Sequence, residues 1–172
     1  MKIKAANLEQ TAGLAGALAE ILRPGMVIAL NGDLGAGKTT FTRALARAAG
    51  VQAAVTSPTF ALLNIYQGAR LNFYHFDFYR LNSRDELENS GGQEFIPPPD
   101  GIAVIEWAEK IPDILPADYL SIHIAAADGE QRLFSFIFHG NTAYLAARLK
   151  NFSADMAASP PQGAGTYPQQ SN

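Results

Sequence analysis

The chain has 172 residues, of which 48% are hydrophobic and 17% charged, with a formal net charge of −3 and no cysteine. This composition predicts one globular, soluble domain with its own core, and it excludes disulfides and thiolate metal sites. The acidic balance also argues against nucleic-acid binding through the protein's own surface, because such surfaces are usually basic.

The hydrophobic residues are spread along the chain rather than gathered into a membrane-spanning run. No apolar stretch approaches the ~20 residues that a membrane helix needs. Residues 1–7 also lack the apolar segment of a signal peptide. Together with the missing cysteine, these features predict a cytoplasmic protein that does not work at a membrane.

The first predicted elements are a short strand that begins at Ile3 and an amphipathic helix after Asn7. Arg23-Pro24-Gly25 ends this helix. Residues 26–30 then form a wholly apolar run, which is typical of a strand buried on both faces. The apolar positions that share one face of the helix are Leu14, Leu18, Ile21 and Leu22.

A phosphate-binding signature follows the buried strand directly. Residues 32–39 read G-x-x-x-x-G-K-T, and helix-forming residues continue to about Ala49. In this context the backbone N–H groups of the loop cradle phosphates, Lys38 reaches the β/γ-phosphates and the Thr39 hydroxyl can ligate Mg²⁺. The residues of this loop predicted to bind the nucleotide are Gly32, Leu34, Gly35, Ala36, Gly37, Lys38, Thr39 and Thr40.

A β-hairpin is predicted next, with strands at residues 60–66 and 71–78 around a turn at residues 67–70. Side chains alternate between the two faces of a strand, so the second strand should divide its aromatic residues between two sides of the sheet. One face should carry Tyr74, Phe76 and Phe78, and the other Phe73, His75 and Asp77.

Four further elements are predicted after this hairpin. Ser83 and Glu86 form the capping box of a short helix. Residues 102–105 are a wholly apolar strand that ends at Glu106, and two more strands flank the turn Asp128-Gly129.

A last helix carries Tyr144, Leu145 and Leu149, and the composition changes after it. Residues 151–172 contain no Lys or Arg and are rich in Ala, Pro, Gln, Ser and Gly. We therefore expect a P-loop domain over residues 1–150 and a disordered tail over residues 151–172.

A P-loop enzyme needs an acid at the end of a neighbouring strand to hold Mg²⁺, and two residues are candidates. Glu106 stands where the apolar strand should end, although it could be an ordinary surface acid. Asp77 lies in an aromatic stretch, where it could instead pair with Arg80 or His75. Which of the two acids is the main metal-linked group stays open at this point.

Ser57 and Thr59 flank Pro58 in the loop after the P-loop helix. P-loop switches place a hydroxyl that senses Mg²⁺ and the γ-phosphate at this position. A plain turn made of Ser, Pro and Thr is an equally good interpretation of the residues alone.

Trp107 has two interpretations as well, packing being favoured over adenine stacking.

The three histidines, His75, His123 and His139, are isolated from one another in the sequence, and His123 is expected on the exposed face of a strand. Residues 90–93 read like the signature of ABC transporter ATPases, but the proline run 97–99 prevents the helix that should follow. The guanine-specificity pattern N-K-x-D is absent, which favours ATP over GTP.

Four motifs in the same order and spacing resemble the TsaE (YjeE) family, bacterial ATPases needed to make threonylcarbamoyladenosine on tRNA. The resemblance covers residues from about 8 to 125, and it is far more specific than the P-loop alone. The motifs are residues 32–41, Ser57-Pro58-Thr59-Phe60, residues 74–81 and Ile105-Glu106-Trp107.

The resemblance implies an α/β P-loop NTPase fold, a mixed sheet in a single domain with helices on both sides. It implies that Lys38 and the loop amides bind ATP, that Thr39 and Glu106 hold Mg²⁺, and that Ser57 and Thr59 lie in a switch-like loop. Asp77 would be an essential acid near the γ-phosphate. The implied catalytic residues are Lys38, Asp77 and Glu106.

The resemblance also implies partners, namely the proteins TsaD and TsaB, through which the chain would serve tRNA indirectly. ATP hydrolysis, weak in the isolated protein, would reset their complex between cycles. Two alternatives remain open on the sequence. One is a small-molecule kinase on a P-loop fold, and the other is a non-catalytic binding module gated by nucleotide.

Overall fold

Strand β2 (Met26–Asn31), the apolar run before the glycine loop, lies at the centre of a seven-stranded sheet in the computed structural model, which describes residues 1–158. It pairs in parallel with β5 (Gly101–Glu106) on one side and β6 (Tyr119–Ala126) on the other. Strand β4 (Asn72–Asp77) continues the parallel set beside β5. The carboxyl ends of four strands therefore meet at one edge, where the P-loop begins.

Three antiparallel strands complete the sheet, in the order β1-β7-β6-β2-β5-β4-β3. They are β1 (Lys2–Ala5), β3 (Leu63–Tyr66) and β7 (Arg132–His139). Both predicted hairpins form, β3 with β4 and β6 with β7. Strand β3 begins three residues later than predicted, because Leu62 has a φ of 68° and residues 59–62 form a turn.

Three long helices cover one face of the sheet, and only short helices cover the other. The first face packs against α1 (Leu8–Ala19), α2 (Lys38–Ala48) and α4 (Leu145–Ala158). The second face is covered by α3 (Arg84–Asn89) and by short 3-10 helices. These 3-10 helices are Gly92–Phe95, Ala108–Lys110 and Pro112–Ile114, and a further one, Gly140–Thr142, precedes α4.

The cap predicted at Ser83 and the face assignments predicted for β4 are confirmed, and Asn7 caps α1. Asn7 Oδ1 accepts from the Gln10 amide at 2.9 Å, and Ser83 Oγ accepts from the Glu86 amide at 3.4 Å. On β4, Phe73 belongs to the core beneath the long helices. Its alternate neighbours Tyr74, Phe76 and Phe78 belong to the core on the opposite face.

Helix α4 runs past the domain boundary predicted at residue 150. Leu145 and Leu149 are fully buried, and the half-buried Phe152 and Met156 pack against the same core. Spacings of four, three and four residues place all four side chains on one helical face, so residues 151–158 belong to the domain. The rest of the predicted tail, residues 159–172, lies outside the described residues.

Within residues 1–158, every helix is too short or too polar to cross a membrane.

Candidate nucleotide-binding site

A cleft of about 330 Å³ opens at the carboxyl edge of the parallel strands. Its walls come from the glycine loop, the start of α2, the loop before β3 and the ends of β4 and β5, so the four sequence motifs meet there. The lining residues are Leu34, Gly35, Gly37, Lys38, Thr39, Thr40, Ser57, Thr59, Asp77, Tyr79, Glu106 and Trp107.

Two glycines give the loop its shape. Gly32 has a φ of 136°, and a Cβ there would lie 2.2 Å from the carbonyl oxygen of Ile124 on β6. Gly37 has a φ of 105° and sits at the N-cap of α2, which lets the helix start immediately after the turn. Gly32 and Ala36 are buried and are not among the residues that line the cleft.

Lys38 is the buried cation of the cleft, with only 5% of its surface exposed. Its Nζ donates to the carbonyl oxygens of Gly32 at 2.5 Å and Asp33 at 2.9 Å, and it lies 3.5 Å from the centre of the Trp107 ring. Burial lowers the pKa of the Lys38 ammonium below its usual value, and the carboxylate of Glu106 is the largest opposing influence. The Lys38 amine is therefore held against the glycine loop, at the start of helix α2.

The sequence left open whether Glu106 is an ordinary surface acid, and the structure excludes this because Glu106 is 2% exposed. Its Oε2 accepts from the Thr39 hydroxyl at 2.8 Å, and its Oε1 accepts from the Thr42 hydroxyl at 3.2 Å. A hydroxyl has one hydrogen and two lone pairs, so Thr39 can donate to Glu106 and still offer oxygen lone pairs to a cation.

Asp77 is 5% exposed and holds the loop that precedes β3. Its Oδ2 accepts from Ser57 Oγ at 2.5 Å and from Thr59 Oγ1 at 2.6 Å, while Oδ1 accepts from the Tyr79 amide at 3.0 Å. This arrangement goes beyond a plain turn, because both hydroxyls are tied to a carboxylate at the end of a neighbouring strand.

The two alternative partners of Asp77 lie elsewhere. The Arg80 guanidinium stacks on the Phe60 ring, 4.3 Å from its centre. His75 is fully buried and its Nε2 lies 2.8 Å from Glu106 Oε1. No local sequence pattern indicates this contact, because the parallel pairing of β4 with β5 is what brings His75 beside Glu106.

The other two histidines show no such contact with the cleft. His123 is exposed on β6, as predicted. The ring of His139 stacks on Tyr119 at 3.9 Å, at the opposite end of the β6–β7 hairpin from the turn.

Sequence reasoning also missed Arg132, at the start of β7. Its Nε donates to the carbonyl oxygen of Ala36 at 2.9 Å, and its Nη1 donates to the carbonyl oxygens of Gly129 and Gln131. Arg132 thus joins the glycine loop to the β6–β7 turn across 96 residues of sequence. No local pattern indicates this contact, because only the folded sheet brings the two segments together.

Trp107 forms one wall of the cleft and, partly buried, packs against the core on the α3 face of the sheet. It has a φ of 59°, its amide donates to the Leu30 carbonyl oxygen at 2.9 Å, and its ring packs on Tyr79 at 5.1 Å between centres. The ring thus lies over the Lys38 ammonium at the cleft, and its role toward an adenine stays a prediction.

A divalent cation would find few protein ligands here. Among residues 1–158, no three His, Asp or Glu side chains form a group suited to bind a metal ion. The chemistry of Thr39 and Glu106 still fits a hard cation, because both offer oxygen and the remaining ligands of a P-loop cation come from phosphates and water.

Comparison with known proteins gives one consistent family. The family model for "Threonylcarbamoyl adenosine biosynthesis protein TsaE" matches residues 5–134. Two proteins called "tRNA threonylcarbamoyladenosine biosynthesis protein TsaE" are close relatives. The one from Bacillus subtilis (strain 168) is 39% identical over 141 residues, covering 82% of this chain and 87% of its own. The one from Treponema pallidum is 38% identical over 134 residues, covering 77% and 98%.

A solved structure agrees with the sequence relatives. The crystal structure of YdiB from Bacillus subtilis superposes with a TM-score of 0.71 at 33% identity, covering 88% of this chain and 94% of that one. The fold, the glycine loop and the relatives lead to one conclusion: this chain belongs to the TsaE family.

Proposed function

We propose that the protein is a cytoplasmic, Mg²⁺-dependent ATPase component of the machinery that makes N6-threonylcarbamoyladenosine at position 37 of tRNA. In this role it binds and hydrolyses ATP, and hydrolysis resets a complex of TsaD and TsaB between cycles. Contact with tRNA is indirect and runs through those partners.

One observation carries the proposal more than any other. Glu106 stands at the end of β5, which runs parallel to β2. Its carboxylate accepts a hydrogen bond from the Thr39 hydroxyl on the P-loop helix at 2.8 Å. A hydroxyl of the P-loop and an acid from a neighbouring strand are the pair that holds Mg²⁺ in P-loop NTPases. When bound, Mg²⁺ would neutralise charge on the β- and γ-phosphates, while the protein's own groups orient the nucleotide.

Asp77 supports hydrolysis rather than binding alone. It lies at the same edge as Glu106 and fixes Ser57 and Thr59, which both line the cleft. A loop tied to the site by two hydroxyls can adopt two arrangements that depend on the γ-phosphate. Such a loop can transmit the nucleotide state to partner proteins.

The first experiment measures ATP hydrolysis with and without Mg²⁺, for the protein alone and with TsaD and TsaB. We expect weak Mg²⁺-dependent release of inorganic phosphate from the isolated protein. Lys38→Ala should abolish ATP binding, because the variant loses the amine that reaches the phosphates. Full turnover by Lys38→Ala would contradict the proposal.

Co-purification tests the partners. We expect the chain to form a complex with TsaD and TsaB whose amount changes with ATP. If TsaD and TsaB do not bind the chain with or without ATP, the proposed role in tRNA modification is refuted. The proposed nucleotide binding would not be affected by that result.

Two controls separate the alternative functions. Labelled γ-phosphate that appears on a metabolite instead of as inorganic phosphate would indicate a small-molecule kinase. A hydrolysis-deficient variant with Lys38 intact that still supports tRNA modification would indicate a nucleotide-gated binding module.

A further inference from the structure

We propose that His75 is a positioning residue that holds Glu106 in the orientation needed to serve the cation site, an inference that rests on the proposed function. Its Nε2 lies 2.8 Å from Glu106 Oε1, and the side chains of His75 and Glu106 are 0% and 2% exposed. The contact is therefore sealed from water and cannot be exchanged for a bond to solvent.

The hydrogen-bond geometry fixes where the imidazole proton lies. Nδ1 of His75 is buried and has no hydrogen-bond partner among the described residues. A hydrogen on Nδ1 would be a buried donor with nothing to bond, which is costly. A carboxylate only accepts, so the proton belongs on Nε2, and His75 donates to Glu106.

The two oxygens of Glu106 thereby take different roles. Oε2 faces Thr39, whose hydroxyl belongs to the cation site. Oε1 faces away, toward His75 and Thr42. The single hydrogen of Thr42 is shared with the Lys38 carbonyl oxygen at 3.0 Å, whereas the Nε2 hydrogen of His75 points only at Glu106.

His75 is thus the committed donor that prevents the carboxylate from rotating. Residues that bond a metal ligand from behind fix its direction, and their loss typically lowers metal affinity or activity about 10- to 100-fold. A neighbouring strand of the same sheet supplies this donor, so its position is as rigid as the β4–β5 pairing.

The test compares two amides at position 75. Gln can present an N–H at nearly the reach of Nε2, whereas Asn is one bond shorter and cannot reach Oε1. The affinity for a fluorescent ADP derivative is measured in EDTA and over a series of MgCl₂ concentrations. We expect the MgCl₂ concentration for half-maximal effect to rise about tenfold or more in His75→Asn and to stay within about threefold of wild type in His75→Gln.

The affinity in EDTA should stay within about threefold of wild type in both variants, because the phosphate-binding loop is untouched. Tyr74→Phe is the matched control. It removes a hydrogen bond to Asp100 from the adjacent residue of β4, on the opposite face of the sheet. If the effect of His75→Asn came from a general loosening of β4, Tyr74→Phe should alter the MgCl₂ response as well. If His75 positions Glu106, the MgCl₂ response of Tyr74→Phe should equal that of wild type.

A folded His75→Asn protein with the wild-type MgCl₂ response overturns the inference alone. A wild-type protein whose nucleotide affinity ignores Mg²⁺ overturns the cation role of Glu106, and the inference with it. Nitrogen NMR of the wild-type imidazole provides a reading that needs no variant. The proton is expected on Nε2, and a proton on Nδ1 with Nε2 bare would overturn the donation to Glu106.

Discussion

Asp77 and Glu106 are register partners at the ends of the parallel strands β4 and β5, yet their carboxylates bind different parts of the protein. Glu106 bonds to Thr39 and Thr42 on the P-loop helix. Asp77 bonds to Ser57 and Thr59 in the loop before β3. The pair therefore joins the P-loop helix to the loop before β3.

Glu106→Gln should remove Mg²⁺-dependent turnover and spare the fold. Glutamine keeps the volume of the buried side chain, but it cannot supply a negative oxygen to a hard cation. We expect ATP hydrolysis to fall at least about 100-fold, with the unfolding temperature within about 3 °C of wild type. Phosphate-release assays and thermal unfolding measure the two effects, and full Mg²⁺-dependent turnover would refute the metal assignment.

Asp77→Asn should uncouple the loop from the site. An amide is a weaker acceptor than a carboxylate for two hydroxyls, so Ser57 and Thr59 lose much of their attachment. We expect ATP affinity within a few fold of wild type and turnover reduced at least about 100-fold. Faster chymotrypsin cleavage after Phe60, which is 86% exposed, should report the freed loop.

Ser57→Ala provides a graded comparison for Asp77→Asn. It removes one of the two hydroxyls and leaves the bonds of Asp77 to Thr59 and to the Tyr79 amide. Its cleavage rate should therefore lie between those of wild type and Asp77→Asn. Cleavage of Asp77→Asn at the wild-type rate would show that the carboxylate does not restrain this loop.

Gly32→Ala and Gly35→Ala should differ in stability although both glycines have positive φ. The new Cβ at position 32 would lie 2.2 Å from the Ile124 carbonyl oxygen, while that at position 35 meets nothing within 4 Å. We expect the free energy of unfolding to fall by more than about 2 kcal/mol for Gly32→Ala and by about 1 kcal/mol for Gly35→Ala. Urea denaturation measures both, and equal losses would contradict the close approach.

Tyr74→Phe should lower stability most at neutral pH. Burial, helped by the hydrogen bond to Asp100, raises the pKa of Tyr74 from 10.0 to about 12. The same bond, followed by that from Asn72, lowers the pKa of Asp100 below 3.8. The native state thus favours protonated Tyr74 and ionised Asp100, and both contributions to stability are fully present between about pH 4 and pH 10.

The two contributions to stability are lost at opposite ends of the pH range. The stabilisation from Tyr74 disappears as the pH rises from 10.0 through about 12, and that from Asp100 disappears as the pH falls below 3.8. The stability difference between wild type and Tyr74→Phe should therefore be largest near about pH 7 and shrink toward about pH 3 and pH 11. Urea titrations at the three pH values check this, and a difference independent of pH would contradict it.

Much of the fold could be predicted because its signals are local. Contiguous residues alone predict three of its elements, namely the strand at residues 26–30, the glycine loop and the strand at residues 102–105. Glu106 could be proposed for the same reason, since it directly follows a buried strand.

The missed features depend on contacts between distant segments. His75 reaches Glu106 across 31 residues and Arg132 reaches Ala36 across 96, which only the strand order and register determine. The end of α4 was missed for a different reason. The composition of residues 151–172, rich in Ala, Pro, Gln, Ser and Gly, outweighed the helical spacing of Phe152 and Met156, although tertiary packing decides such segments.

The bond from Arg132 to the Ala36 carbonyl oxygen makes the position of the glycine loop depend on the length of a surface turn. Arg132 shares a strand face with Phe134, which packs on Phe41 of α2. Side chains alternate along a strand, so inserting or deleting one residue that shifts β7 by a single position would turn Arg132 to the opposite side of the sheet. A change in the length of the β6–β7 turn must therefore preserve this register if Arg132 is to keep its bond to the glycine loop.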